Sequence, residues 1–259
     1  MHLAPKGAAL AVALALCIGL PSPSIAANTK HAAVEKPVVD EKAAQLLDQA
    51  CKALTALSTY SFHAAVSLDK VYQDGSKVQN NRSMAVTVQR PDAFRVETDG
   101  DEFQAVSVFD GKTFALALPD RKVYARIPAA LDTDGLMDML ASQYGIESPL
   151  GDMLSNEPCA RMTIKAGYYV GKSKVEGAVC DHLFFQGKDV DLQLWIEDGP
   201  TRLPRKIIIT EKKLRMSPQF TAVLSAWKTG ENAKGNFTFD VPEGFTRDDN
   251  VILGVKQGK

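Results

Sequence analysis

The chain has 259 residues, with 30 basic and 31 acidic side chains, and this near balance excludes the basic surface a nucleic-acid partner needs. At 45% hydrophobic it can fill one sizeable core, while four histidines and four cysteines leave little material for a metal centre.

Lys6, the apolar run Ala8–Leu20, Pro21-Ser22-Pro23 and the small-residue site Ser24-Ile25-Ala26 read as a secretory signal over residues 1–26, cleaved after Ala26 or Ala27. The run falls short of the roughly 18–20 apolar residues that span a membrane. A lipoprotein signal on Cys17 is disfavoured because Leu16, not a small residue, precedes it. Loss of the leader removes Lys6 and takes the formal charge from −1 to −2. The mature chain is expected in the periplasm.

Residues 27–39 lack periodicity and read as a flexible lead-in, and a single domain is expected over 40–246. Asp40 can cap a helix whose apolar stripe is Ala43, Leu46, Leu47, Ala50, Cys51, Leu54 and Leu57. From Tyr60 the period changes to two. Phe62, Ala64, Val66 and Leu68 alternate with polar or small residues until the turn Gln73-Asp74-Gly75-Ser76. Strands follow around 84–89, 94–98, 103–109, 113–118 and 122–127, separated by turn residues and by no helix, so the sheet is an antiparallel meander.

Residues 131–162 break this rhythm. Leu136, Met137, Met139, Leu140 and Tyr144 give a short helix after a Thr133/Asp134 cap, and Ile146, Leu150, Met153, Leu154 and Met162 continue the apolar content. Four of the seven methionines lie here, as suits a surface that repacks against varied apolar partners; a helical plug of ordinary core fits the pattern equally. Strands resume at 167–172, 178–185, 190–197, 204–211, 219–228 and a short 237–239, and 247–259 reads as a tail. About a dozen strands with an N-terminal helix make a mainly β (α+β) chain whose sheet curls into an incomplete barrel, with the insert as a lid.

Chemistry-bearing motifs are absent. No Gly-rich phosphate loop, CxxC, HExxH or GxSxG occurs, so no catalytic residue, metal ligand or cofactor is expected. His63 and His182 are single residues on predicted strands. In an oxidising compartment a Cys159–Cys180 disulfide is one reading, and three buried free thiols the other; Cys51 reads as core. Between Leu194 and Ile209, Glu197/Asp198 facing Arg202/Arg205/Lys206 form the corner of a hairpin, expected to be exposed and worth at most about 1 kcal/mol per ion pair.

Four stretches in order, Ser58–Ala64, Gln89–Arg95, Phe109–Thr113 and Leu194–Asp198 with Leu203–Lys206, resemble the half-barrel superfamily of lipoprotein carriers (LolA, LolB and LppX-like). More closely, residues 41–246 are similar to a bacterial family of predicted periplasmic proteins of unknown function. The resemblance implies a non-catalytic carrier that holds a lipid, a lipoprotein acyl chain or another apolar ligand on a concave face, with Arg90 latching the lid. Read from its own neighbours, Arg90 is equally the exposed end of a strand before Pro91. Lining candidates are Phe62, Val66, Val86, Phe94, Val96, Leu116, Leu192, Leu194 and Ile207 from strands, and Leu136, Met137, Met139, Leu140 and Met153 from the lid. All suit a filled core as well, in which case the chain is an envelope module that engages a partner protein, or, less favoured, an enzyme acting on an envelope lipid or glycan.

Overall fold

A computed structural model describes residues 38–146 and 148–254; the expected leader and most of the lead-in lie outside them. Twelve strands form one sheet. They are β1 (Thr59–Val71), β2 (Lys77–Gln89), β3 (Ala93–Gly100), β4 (Gln104–Phe109), β5 (Thr113–Leu118), β6 (Val123–Pro128), β7 (Ala166–Val175), β8 (Ala178–Gln186), β9 (Val190–Glu197), β10 (Pro204–Glu211), β11 (Gln219–Thr229) and β12 (Thr246–Arg247). The order β12-β6-β5-β4-β3-β2-β1-β11-β10-β9-β8-β7 is two meanders joined by the β1/β11 pair, and β12 and β7 never meet. A twisted sheet of this width curls, and here it stays unclosed.

Alternation places one set of side chains on the inner face. One cross-strand row runs Tyr60, Val88, Phe94, Phe109, Phe114 and Ile127. A second runs Leu183, Leu194, Ile207, Ala222 and Val66, then reaches Arg82 and Gly100. The apolar members of both rows are buried in a single core cluster.

Helix α1 (Glu41–Thr55) lies against that core. Asp40 caps it, its carboxylate accepting from the Ala43 amide at 2.7 Å, and Ala43, Leu46, Ala50 and Leu54 are buried. Between β6 and β7 come α2 (Thr133–Met139), a π-turn over Leu140–Tyr144 and α3 (Gly151–Leu154). The N-cap of α2 is Asp132, which accepts from Gly135 N, one residue ahead of the expected cap.

Three expectations are corrected. Residues 237–239 form no strand: Phe239 packs on the outer face against Val108, Ala115 and Ala117, and Arg126 donates to its carbonyl. The twelfth strand is β12, parallel to β6, and after it α4 (Val251–Gly254) buries Val251 and Ile252 in the main core, although residues past 246 had read as a tail. The disulfide joins Cys51 to Cys159, with Cα atoms 5.9 Å apart, not Cys159 to Cys180. Cys180 is on the outer face, buried as a free thiol beside Val175 and Trp195. Cys51 and Cys159 belong to the elements that cover the inner face, so the sheet separates Cys180 from them.

This bond closes a loop of 108 residues in sequence separation, for which chain entropy gives about 4–5 kcal/mol. Cys51→Ser with Cys159→Ser is expected to lower unfolding free energy by roughly 3–5 kcal/mol. Reductant should lower the Tm of the wild type and leave the double variant unchanged; a reductant effect of equal size in both would show that the tether does not form.

Candidate functional site

The candidate site is the inner face together with what covers it. At its closed end the turn between β2 and β3 carries Arg90 and Pro91. Arg90 Nη1 donates to the carbonyls of Leu54 and Leu57, at 2.9 Å for the second, and so satisfies the end of α1. The Arg90 guanidinium lies 5.0 Å from the centroid of the Tyr60 ring, and the Tyr60 hydroxyl donates to the carbonyl of Met153 in α3. The Pro91 carbonyl accepts from the Thr133 amide at 3.0 Å and from Asn156 Nδ2 at 3.2 Å. Asp134 then closes the insert on itself, accepting from Ser155 Oγ and, at 3.1 Å, from the Asn156 amide. The carbonyls that Arg90 holds are thus at the C-terminal end of α1 and just beyond it, not on the 131–162 insert; it reaches the insert through Tyr60 and its neighbour Pro91.

The strand candidates share this face. Phe62, Val86, Val96 and Leu116 fall on one register row with Ser107, and Val66, Ile207 and Leu194 on another. Eight of the nine are buried, Leu192 being half-buried. From the insert, Leu136, Leu140 and Met153 are buried in the same cluster, with Met137 and Met139 half-buried against it. The structure brings all fourteen together around one core. Sequence reading missed Tyr60, Ala222, Leu224 and Phe220 on the same face, though their alternation with neighbours was available.

Toward the ends of β1 and β2 the inner face turns polar. Lys70 meets Glu102 at 2.6 Å, and Arg82 stands opposite Val66 and Gly100. Burial depresses the Arg82 guanidinium, against the pull of Glu102. Two cavities are found among the described residues. One of about 350 Å³ lies on the outer face between β4, β5 and residues 236–245, beside Val106, Ala117, Phe239 and Phe245. The other, about 420 Å³, is a dip across β1, β2 and β3 with Ser67, Ser83, Asp99 and Asp101 at its walls, and it includes Val66, Arg82 and Gly100 of the inner row.

The hairpin corner differs from its expectation. It is organised by Asp181, 3% exposed, which accepts from Tyr169 Oη at 3.0 Å, Lys172 Nζ at 2.9 Å and Arg202 Nη1 at 3.0 Å. Despite its burial these partners hold its carboxyl below the usual range, and Lys172 also meets Asp198 at 2.6 Å. Arg205 donates twice to one oxygen of half-buried Glu197. Asp181 lies on β8, the strand before this stretch, which is why reading 194–209 alone missed the centre of the network. On the outer face His182 stacks on Trp195 at 3.9 Å, and burial lowers its pKa. His63 is exposed. Among the described residues no group of three or more His, Cys, Asp or Glu is arranged to hold a metal ion, and no helix is long and apolar enough to cross a membrane.

A curled, unclosed antiparallel sheet whose apolar concave face is covered by helices is a half-barrel. The chain belongs to the family described as Predicted periplasmic protein (DUF2092), which matches residues 43–247, and membership places it in the periplasm. Among solved structures it is similar to the lipoprotein LppX of Mycobacterium tuberculosis, at 15% identity and a TM-score of 0.49 over 77% of this chain and 100% of that one. It is also similar to LprF of Mycobacterium bovis, at 13% identity and a TM-score of 0.47 over 80% and 100%. A LolA superfamily protein of Nitrosomonas europaea matches at 12% identity and a TM-score of 0.35 over 73% and 94%. No curated protein matches significantly.

Burial pushes the Tyr60 phenol up to about 12, so it stays protonated and donating where a free tyrosine has ionised. The folded value lies above the ordinary one near 10, so the unfolded chain loses this proton first. The stabilising contribution is complete below about pH 10 and is lost as pH rises toward 12, on the order of 2–3 kcal/mol in all. Ultraviolet titration should show one late tyrosine in the wild type, missing in Tyr60→Phe. An unchanged late step in that variant would remove the assignment.

Proposed function

We propose that the chain is a non-catalytic periplasmic binding protein that shelters a lipid, a lipoprotein acyl chain or another apolar ligand on the concave face of its sheet. The observation that carries this reading is how the face is closed. Apolar side chains from both meanders form one continuous surface, and separate elements cover it where a complete barrel would use its own strands. Those elements are α1 and the insert with Met137, Met139 and Met153. An acyl chain in water exposes roughly 0.8 kcal/mol per CH₂, and a covered apolar face removes that cost. Methionine, unbranched and polarisable, repacks against chains of differing shape.

A second reading has its own support. The candidate strand residues are buried by the protein's own side chains, and of the two cavities described above one lies on the outer face while the other touches the concave row only at Val66, Arg82 and Gly100. A filled half-barrel is then an envelope module whose edge strands or outer face engage a partner protein. An enzyme acting on an envelope lipid or glycan is the least supported: among the described residues of the insert the carboxyl that burial raises is Asp152, and no hydrogen bond ties it to a serine, cysteine or histidine.

Native mass spectrometry and lipid extraction of protein purified from periplasm separate these readings. Recovery of bound lipid, or uptake of a fluorescent acyl probe that Leu192→Asp abolishes without loss of fold, is expected. Empty protein that takes up no probe favours the filled module. Arg90→Leu removes the side-chain donor to the Leu54 and Leu57 carbonyls, of which Leu54 also accepts from the Leu57 amide, and is expected to cost about 1–3 kcal/mol of stability. If Arg90 holds the cover, that variant also releases probe faster by about tenfold for each 1.4 kcal/mol lost from the closed form. Unchanged release would retire the latch.

A further inference from the structure

We propose that Arg82 is the headgroup site of the concave face, taking the anionic end of an amphiphile, a carboxylate or a phosphate, whose tail runs along Val66, Ala222, Ile207 and Leu194. The proposal rests on the apolar-ligand reading above and adds the polar end of the ligand and its direction.

Register places Arg82 there. It pairs with Val66 of β1 on one side and Gly100 of β3 on the other, continuing the row Leu194, Ile207, Ala222 and Val66. An arginine on an otherwise apolar row is costly unless something answers its charge. Nothing in the protein does so fully. Among the described residues Arg82 has no hydrogen-bond acceptor and no ion-pair partner, and its guanidinium lies 5.9 Å from the Phe103 ring centroid. The nearby acid, Glu102, is taken by Lys70 at 2.6 Å. A half-buried guanidinium with free N–H groups presents a planar fork that matches a carboxylate or phosphate.

Space is kept for the side chain. A Cβ at position 100 would stand 2.8 Å from the Cβ of Arg82, so only glycine permits this pairing. From Arg82 to Leu194 the row crosses four strand spacings, about 19 Å, which is the scale of an extended long acyl chain. The tail therefore points toward β9 and the head toward the β2/β3 side of the mouth.

The test uses the mature protein with a dansyl-labelled long-chain fatty acid and the matching dansyl-labelled alcohol. The wild type is expected to bind the acid about tenfold more tightly than the alcohol, the value of one charge-assisted contact. Arg82→Gln should bind both at the affinity of the alcohol, with its Tm unchanged. Should that variant fail to fold, Arg82→Lys decides: it keeps the charge without the fork, and part of the preference should survive. Equal binding of acid and alcohol by the wild type, or a preference retained in Arg82→Gln, overturns the headgroup site and leaves the apolar-ligand reading standing. Binding of neither probe removes both. Inorganic phosphate alone, followed by calorimetry, should give no Arg82-dependent heat; such a heat would assign the arginine to a free anion and overturn the proposal.

Discussion

The architecture depends on the contact of Arg90 and Pro91 with the two elements that cover the sheet. A helix laid across a concave sheet ends with carbonyls that water cannot reach well, and leaving them unpaired costs about 1–3 kcal/mol each. The guanidinium supplies the donors to Leu54 and Leu57, and Pro91 presents its carbonyl to Thr133 and Asn156 from the same turn. One β-turn therefore fixes the end of α1 and both ends of the insert's helical part. The Cys51–Cys159 bond joins the same two elements covalently. Cover and sheet are connected at one end of the half-barrel, and the polar rim at Lys70, Arg82 and Glu102 lies on the longer strand ends.

An unclosed sheet must also protect its edges. β12 is two residues long and runs parallel to β6, too short to template another strand. β7 carries Lys172 and Lys174, is irregular near Gly171, and is met at its other end by the bridge from Val39 and by the Asp40 carboxylate, which accepts from the Tyr169 amide. Lys172 serves a second purpose, since it neutralises buried Asp181 and ties β7 to the β9/β10 corner. Charge that blunts an edge is thus also charge that satisfies the interior.

The alternation of side chains was legible from sequence, because a period of two is local. Phe62, Val86, Val96 and Leu116 announce their face within their own strands, and the register then has to align them. The Asp40 cap was legible for the same reason. What could not be read depends on where distant segments meet. Cys51 lies on a helical stripe that looks like core, and only the course of α1 over the inner face shows that it reaches Cys159. Asp181 looks like one acid among many until the fold surrounds it with Tyr169, Lys172 and Arg202. Val251 and Ile252 begin the short apolar stretch Val251-Ile252-Leu253, too short for periodicity to separate from a tail.

The energetics of the cover connect these features to binding. Leu136, Leu140, Leu150, Met153 and Leu154 are buried by the insert, and exposing five such side chains to water would cost roughly 10 kcal/mol. Opening into water would therefore be costly, whereas on the proposed reading opening onto an acyl chain exchanges one apolar contact for another at little net cost. The closed joint also holds groups that opening would relieve: Arg90 Nε and Nη2, Thr133 Oγ1 and Asn156 Oδ1 are buried without protein partners. Each regains hydrogen bonds once hydrated, which lowers the barrier where the cover meets the turn. The disulfide limits the excursion, since α1 and the insert must move as one tethered unit. A cover that is costly to expose, cheap to exchange and covalently held is what the proposed binding of an apolar ligand requires.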